Sequence, residues 1–394
     1  MVQRPLTVAW ISYFPVEWLP EAPEPIRNLP RQHPATWQQV LLNEFKPNPQ
    51  LKVHVIAVGT QFPRACEFEV DGVRFHCLKP PRGMRTLTLY WWETALIHRC
   101  LKRIQPDLVH AWGSERGAAL VASRLRRPYL VTMQGLLEWY SQHVTLNRYH
   151  RFDARLERPS LRRASVVTTE SCFAVKWLRE HYPHLEVRQA EHASNWIFHR
   201  IDRRPQTRPL RFLHVGALGP IKGGDILLKG LDRLIKDLDF RLTVVGSPEP
   251  DFLDQLKAAT SPALWDRITM RQGLTPQQVA EELAQATLML FPTRVDTSPN
   301  SVKEAVVAGV PVVASAIGGI VDYVLPDRNG ITFPPGSLDD FVRSVKAAAA
   351  HPLFGQGKVD PQTLQQMRDY LSPKVMAEKF LAAYQRVIAR SQSV

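Results

Sequence analysis

Residues 296–315 read DTSPNSVKEAVVAGVPVVAS. Asp296 stands eight positions before Glu304, and the segment between them, Thr297-Ser298-Pro299-Asn300-Ser301, is polar and turn-forming. A short apolar helix follows Glu304, then a Gly-Val-Pro break, then a strand over Pro311–Ala314. Helix, break and apolar strand in that order form one unit of a parallel sheet buried on both faces. The arrangement carries two carboxylates and the free amides of a helix start to one sheet edge.

The same alternation runs through the rest of the chain. In the front half the apolar runs predict strands at Leu6–Ser12, Lys52–Val58, Leu108–Ala111, Tyr129–Met133 and Ser165–Thr169. Helical patterns at Thr36–Phe45, Arg116–Leu125 and Glu170–His181 lie among them. In the back half strands are expected at Arg211–Val215, Arg241–Val245, Ile268–Arg271, Thr287–Phe291, Pro311–Ala314 and Ile331–Phe333, with helices at Asp225–Leu238, Gln277–Ala284 and Leu338–Ala350. At 394 residues the chain is long for one core. Strand–helix alternation occurring twice implies two doubly wound α/β domains. The polar, basic, proline-containing segment 191–209 marks the join. The expected domains are 1–200 and 201–372. The apolar positions Val375, Met376, Phe380, Ala383, Tyr384 and Val387 give a last helix over Pro373–Arg390, with Ser372 and Pro373 as its start signal.

Net charge is +13 and uneven: residues 1–200 hold 27 Lys/Arg against 17 Asp/Glu, and residues 201–394 hold 23 against 20. Nine of the ten Trp also precede residue 200. Such a balance suits nucleic acid, an anionic membrane face, a phosphorylated substrate or a solvated Arg-rich surface, without choosing among them. Cys66, Cys77, Cys100 and Cys172 lack zinc or disulfide-framework spacing, so a reduced, cytoplasmic chain is expected. The stretch LTVAWI at 6–11 is too short for a signal core. The longest uncharged run, Ala305 to Val321, contains Pro311 and three glycines and reads as helix, strand and loop, not as a membrane span. Residues 13–34 form a stiff loop with six prolines and no glycine.

Two constellations carry the chemistry. In the first, Glu304 either closes a capping box with Ser301 as N-cap or accepts both hydroxyls of a ribose. A vicinal diol matches the two oxygens of a carboxylate, and hydrogen bonds to a charged acceptor are worth roughly 1.5–3 kcal/mol each. Asp296 and the amides of residues 298–302, those of Ser298, Asn300 and Ser301 around the Pro299 turn among them, then face a sugar and a diphosphate. In the second, Val215-Gly216-Ala217-Leu218-Gly219-Pro220-Ile221-Lys222-Gly223-Gly224 follows a strand and opens a helix. Gly216 and Gly219 let backbone amides approach a phosphate and Lys222 adds a charge. The run is neither G-x-G-x-x-G nor a P-loop. In a doubly wound sheet both constellations lie at the carboxyl edge.

Val215–Gly224, Gly246, Gly273, Asp296-x7-Glu304, Gly309–Ser315, Gly318-Gly319 and Asn329-Gly330 occur in this order. Together they resemble the donor-binding domain of GT-B glycosyltransferases of the retaining family 4 type, from about Leu210 to Ala350. The front half is similar more loosely, through Pro106–His110, Thr132-Met133-Gln134-Gly135 and Glu157–Thr169, and the last helix with Tyr384 resembles the family's terminal helix. The resemblance implies two Rossmann-like domains facing across a cleft. The N-terminal one, with the terminal helix, would bind a saccharide or lipid-linked acceptor, and the C-terminal one a nucleotide sugar. A UDP-sugar comes first, with GDP- or ADP-sugar as alternatives. The implied reaction transfers a sugar with retention and needs no metal or other cofactor. Glu304 would hold the ribose, Asp296 would contact the transferred sugar and Lys222 would neutralise the leaving diphosphate. His110, which ends a strand at the carboxyl edge, is either a catalytic or a structural histidine.

Four departures stand out. Asp296 is about 1.5 Å, one C–C bond, shorter than the usual Glu. A usual cation after Gly216 is Ala217, so either Arg294 supplies the charge or activity is low, since one such group is worth roughly 2.7–4 kcal/mol at a transition state. Gln134 replaces a usual His. The first-strand loop is proline-rich where a Gly pair is usual. The pattern thus leaves a sugar-nucleotide epimerase or hydrolase and a non-catalytic binding protein as alternatives. An NAD-binding dehydrogenase lacks its glycine fingerprint, and nucleic-acid binding has charge but no module behind it. Asp237-Leu238-Asp239 reads as a helix end with solvated charge, not a metal site. The run Arg148–Arg163, with six arginines, His150 and Glu157, reads as a solvated helix face or a contact for an anionic acceptor or peripheral membrane. Tyr90-Trp91-Trp92 reads as core, lid or membrane anchor, core being the default.

Overall fold

The computed structural model describes residues 4–31 and 35–392. They form two compact units. The first comprises residues 1–170, 174–191 and 376–394 and the second residues 171–173 and 192–375. The break thus falls between Glu191 and His192, at the front of the polar segment 191–209.

The first unit is built on eight strands: β1 (Leu6–Ser12), β2 (Leu51–Val58), β3 (Cys66–Val70), β4 (Val73–Leu78), β5 (Leu108–Trp112), β6 (Tyr129–Met133), β7 (Val166–Thr169) and β8 (Glu186–Gln189). Their order is β3-β4-β2-β1-β5-β6-β7-β8, parallel except for β3 against β4. The order reverses between β1 and β5, where Val8–Ile11 pair with Leu108–Ala111. Three of these strands escape the apolar pattern. β3 and β4 make an edge hairpin whose outward side chains include Glu67, Glu69 and Arg74, and β8 is polar at the other edge.

The second unit carries β9 (Leu210–Val215), β10 (Phe240–Val245), β11 (Ile268–Arg271), β12 (Leu288–Phe291), β13 (Val312–Ser315) and β14 (Gly330–Phe333). The order is β11-β10-β9-β12-β13-β14, parallel throughout, which is the doubly wound dinucleotide-fold order with its switch point between β9 and β12. Both faces are covered, which is why its strands read as unbroken apolar runs. Along β12, Leu288 and Leu290 pack with Phe212, Leu242 and Phe341 on one face. Met289 and Phe291 pack with Leu213, Val306 and Ala314 on the other.

The last helix, Pro373–Gln392, buries Met376, Phe380, Ala383, Tyr384 and Val387, and its residues from 376 onward belong to the first unit. No helix among the described residues is long and apolar enough to cross a membrane. The run Ala305–Val321 divides into helix Asn300–Ala308, β13 and the short helix Ile320–Tyr323. The helix before β10 ends at Leu234, and Asp237 beyond it pairs with Lys346 at 2.5 Å with both side chains about half exposed.

Candidate functional site

In the second unit the chain leaves β9 at Val215 and β12 at Phe291, on either side of the switch point. The two loops lock together. The Arg294 amide donates to the Ile221 carbonyl at 2.9 Å, and the Thr293 hydroxyl donates to it at 3.2 Å. Gly223 has φ +69°, and a Cβ there would sit 1.9 Å from the Pro292 carbonyl oxygen, so only glycine lets the loops meet. The glycine loop after β9 and the Pro292–Asp296 segment after β12 are thereby held against each other.

Lys222 reaches across this contact. Its Nζ donates to Asp296 Oδ2 at 2.5 Å and lies 5.5 Å from the Phe291 ring centroid. The other Asp296 oxygen accepts the Ser298 amide at 3.1 Å. Asp296 is 6% exposed, while the Lys222 side chain keeps about a third of its surface open. The Asp296 backbone is buttressed by Gly318, which has φ +56° and whose Cβ would lie 1.8 Å from the Asp296 carbonyl oxygen. The Ser298 hydroxyl is buried without a partner.

Arg294 does not fill the place left by Ala217. Its guanidinium forms a two-pronged pair with Asp225, at 2.7 and 2.8 Å, and donates to the Pro220 carbonyl at 2.7 Å. The charge is neutralised locally and clamps the glycine loop to the start of helix Gly224–Leu234.

The capping-box reading of Ser301 and Glu304 is corrected by the helix itself. It spans Asn300–Ala308 with Pro299 at the N-cap and no side-chain cap. Proline holds the extended backbone that the cap position needs, which draws Ser301 into the first turn. The first intrahelical bond with a loop acceptor runs from Lys303 to Pro299, so the amides of Asn300, Ser301 and Val302 begin the helix as open donors. Asn300 and Glu304, four residues apart, share the half-exposed face of an otherwise buried helix. No donor among the described residues meets the Glu304 carboxylate. Burial pushes its pKa up to about 8, with Lys303 pulling weakly the other way.

Sequence reasoning missed His214, on β9 just before Gly216. It is fully buried, and Nδ1 donates to the Leu290 carbonyl at 2.9 Å. Burial lowers its pKa to about 4, so the ring is neutral and Nε2 is left as an acceptor. That nitrogen lies 3.5 Å from where a Gly216 Cβ would be. The ring stacks on Phe291, the same ring that Lys222 overlies. A histidine two residues before the glycine run was the available signal.

The first unit has its own cavity, about 370 Å³, at the carboxyl ends of β1 and β5. Tyr13, Trp37, Glu115, Arg116, Gln134 and His150 line it. Gln134, which directly follows β6, thus sits at a ligand-sized opening. Nothing in the spacing of the sequence singles out Glu115. Its Oε2 is buried without a hydrogen bond, and burial, with Glu157, Asp153 and Glu170 nearby, raises its pKa to about 8.

His110 does not belong to this cavity. It is 0% exposed, and both ring nitrogens are used. Tyr384 Oη lies 2.8 Å from Nδ1 and Thr132 Oγ1 lies 2.6 Å from Nε2. Trp10 Nε1 donates to the Tyr384 hydroxyl, and Thr132 in turn contacts Thr168. Burial holds the His110 pKa well below its ordinary value. These contacts join the last helix to the sheet, as the structural of the two expected readings requires. The Tyr90-Trp91-Trp92 expectation divides: Tyr90 is buried and donates to Asp153 at 2.9 Å, while Trp91 and Trp92 are 59% and 43% exposed. Helix Arg148–Leu161 is likewise two-faced. Its Asp153 and Glu157 are buried, and Glu157 accepts from the Ser114 hydroxyl and the Leu137 and Glu138 amides.

Residues 209–351 match the family model described as glycosyl transferases group 1, and residues 49–189 match that described as glycosyltransferase family 4. Among curated relatives, a D-inositol 3-phosphate glycosyltransferase of Mycobacteroides abscessus is 28% identical over 33% of this chain and 30% of its own. A 2-deoxystreptamine glucosyltransferase of Streptomyces kanamyceticus is 26% identical over 66% of this chain and 73% of its own. The chain spans about a third of the length of the first curated relatives it matches. Sucrose-phosphate synthase from Thermosynechococcus elongatus has the same fold, with a TM-score of 0.80 at 16% identity over 98% of this chain and 100% of that one. Anabaena HepE, solved with UDP and glucose, gives 0.70 at 15% over 97% and 100%. The fold is GT-B, with two Rossmann-like domains.

Proposed function

We propose that this chain is a glycosyltransferase that moves a sugar from a nucleoside-diphosphate sugar to a saccharide or lipid-linked acceptor, retaining anomeric configuration and without a bound metal. The observation that carries the reading is Glu304. A carboxyl group that meets no donor among the described residues stands one turn beyond open helix amides, on the helix that follows the loop carrying Asp296, at the switch point of the sheet. A nucleoside diphosphate offers a matching set: a ribose diol for Glu304, and phosphate oxygens for the amides and Lys222. Asp296 is left to accept a hydroxyl of the sugar. The two family-model matches and the names of the relatives support transfer over hydrolysis or plain binding.

In the reaction the bond between the anomeric carbon and the diphosphate oxygen breaks, and its electron pair leaves with the phosphate. Lys222 and the amides of residues 300–302 stabilise that charge as it develops. The acceptor oxygen bonds to the anomeric carbon on the face the diphosphate leaves, and its proton passes to the departing phosphate oxygen. The acceptor is assigned to the first unit, with Gln134 and Glu115 in the cavity that would receive it.

The test is a panel of UDP-, GDP- and ADP-sugars read by thermal shift, with UDP-sugars expected first, followed by product analysis with candidate acceptors. Stabilisation by one nucleotide series that disappears in Glu304→Ala supports the reading. No heat of binding with any nucleoside diphosphate, in a folded protein, refutes it. Free sugar or an epimer formed at full rate without acceptor refutes transfer.

A further inference from the structure

A second cavity, about 790 Å³, opens in the first unit away from the one at the carboxyl ends of β1 and β5. It lies where helices Ala118–Arg124, Arg148–Leu161 and Cys172–His181 run out toward the amino ends of β6, β7 and β8. Five arginines line it, Arg124, Arg126, Arg158, Arg162 and Arg163, and no carboxylate does. Basic residues at helix ends are commonly explained by the helix dipole. Here the dipole is already answered. His181 Nδ1 contacts the Trp177 carbonyl at 2.8 Å, and His184 Nε2 contacts the Leu161 carbonyl at 3.3 Å. Arg158 pairs with Glu138, and Arg124 donates to the Leu89 carbonyl at 2.6 Å. Arg126, Arg162 and Arg163 are left exposed, with no side-chain hydrogen bond or ion pair among the described residues.

The rim adds an apolar component. Arg124 lies over the Trp91 ring at 4.3 Å, and Trp91 itself lines the cavity. Leu87, Leu89, Trp91 and Trp92 are exposed within six residues, and they make up half of the large exposed hydrophobics of the described chain. A free anion would use the arginines and leave this patch without purpose. Tryptophan and leucine beside uncompensated arginines match a bilayer interface, where rings sit at headgroup depth and cations meet lipid phosphates. We infer that this face of the N-terminal unit docks on an anionic phospholipid surface, with Arg126, Arg162 and Arg163 taking headgroup phosphates and Trp91 and Trp92 entering the interface. The contact is an anchor and not the acceptor entrance, because the Tyr13–Gln134 cavity lies at the carboxyl ends of the same sheet.

The full chain is sedimented with phosphatidylcholine vesicles with and without phosphatidylglycerol, while tryptophan fluorescence is recorded. Association is expected only with phosphatidylglycerol, with a blue-shifted emission, and it should weaken as salt rises. The triple variant Arg126→Ala/Arg162→Ala/Arg163→Ala should bind roughly 100-fold more weakly, at about fivefold per basic residue. Trp91→Ala/Trp92→Ala should abolish the blue shift. All these side chains are exposed, so melting temperatures and nucleotide binding should be unchanged, which separates this test from that of the donor site. Equal partition onto both vesicle types, unaltered binding of the triple variant, or a response to inorganic pyrophosphate with no vesicle association would each overturn the inference.

Discussion

Replacing Glu304 by glutamine keeps the shape of the side chain and removes its charge, so it separates what the carboxylate does for the fold from what it does for a ligand. In the empty protein, burial raises this group from its ordinary 4.5 to about 8. A carboxyl whose folded pKa is raised binds its proton more tightly when folded. The contribution of this group to stability is therefore fully present below about 4.5 and is lost as pH rises through about 8. The amide of the Glu304→Gln variant cannot ionise, so the variant should be more stable than the parent above neutrality. Solvent reaching the half-buried group limits the gain to about 1–2 kcal/mol. Binding should move the other way. Two hydrogen bonds from a diol to a carboxylate become bonds to an amide, a loss of roughly 1.5–3 kcal/mol, or about 10- to 150-fold in affinity. The parent has a further signature. If the diol needs the ionised form, only roughly one site in ten is ready at pH 7, and nucleotide affinity should climb about tenfold between pH 7 and 9. The variant should show no such slope. Calorimetry with the nucleoside diphosphate found by the panel, at three pH values, and thermal melts across the same range give both readouts. A variant that binds as well as the parent, with the same pH dependence, would refute the ribose assignment however the melts behave.

Other positions give sharper contrasts. Lys222→Ala should cut turnover far more than it weakens the bare nucleoside, and it should cost about 1–3 kcal/mol of stability by leaving the buried Asp296 unpaired; Lys222→Ala/Asp296→Asn should recover most of that stability but not the turnover. Equal losses of nucleoside binding and turnover would count against the leaving-group role. His110→Ala should destabilise by about 2–4 kcal/mol through two lost buried hydrogen bonds, while activity per folded molecule persists; a stable but inactive variant would restore His110 to the chemistry. Gly223→Ala should lower the melting temperature and nucleotide affinity together, since its Cβ would collide with the Pro292 carbonyl; an unperturbed melt would mean the two loops are not locked.

The second unit was largely readable because every strand is covered on both faces, so burial writes itself as continuous apolar runs such as Leu288–Phe291. The hairpin of β3 and β4 was not, because its edge position lets Glu67, Glu69 and Arg74 alternate with apolar residues. Within the site, spacing was enough to bring Asp296 to the glycine loop, since one sheet edge collects them. It could not show that Lys222 would contact Asp296 or that Arg294 would turn to Asp225, because those partners are chosen by packing between loops 74 and 69 residues apart. The choice between a catalytic and a structural His110 stayed open for the same reason at longer range: its partner Tyr384 arrives 274 residues later. Exposure at Trp91 and Trp92 has no local signature, since an aromatic triplet reads the same in a core and on a rim.

The last helix has a consequence for how the chain is made. Synthesis proceeds from the amino terminus, and domains generally fold as units when their residues emerge. Here the first Rossmann unit lacks Phe380, Tyr384 and the helix that carries them until residues 376–392 emerge. Until then Trp10 and His110 face an unfilled slot, whereas nearly every residue of the second unit has already left the ribosome. Of the two units the first is thus completed after the second, and a nascent chain truncated before residue 376 should expose that slot to chaperones.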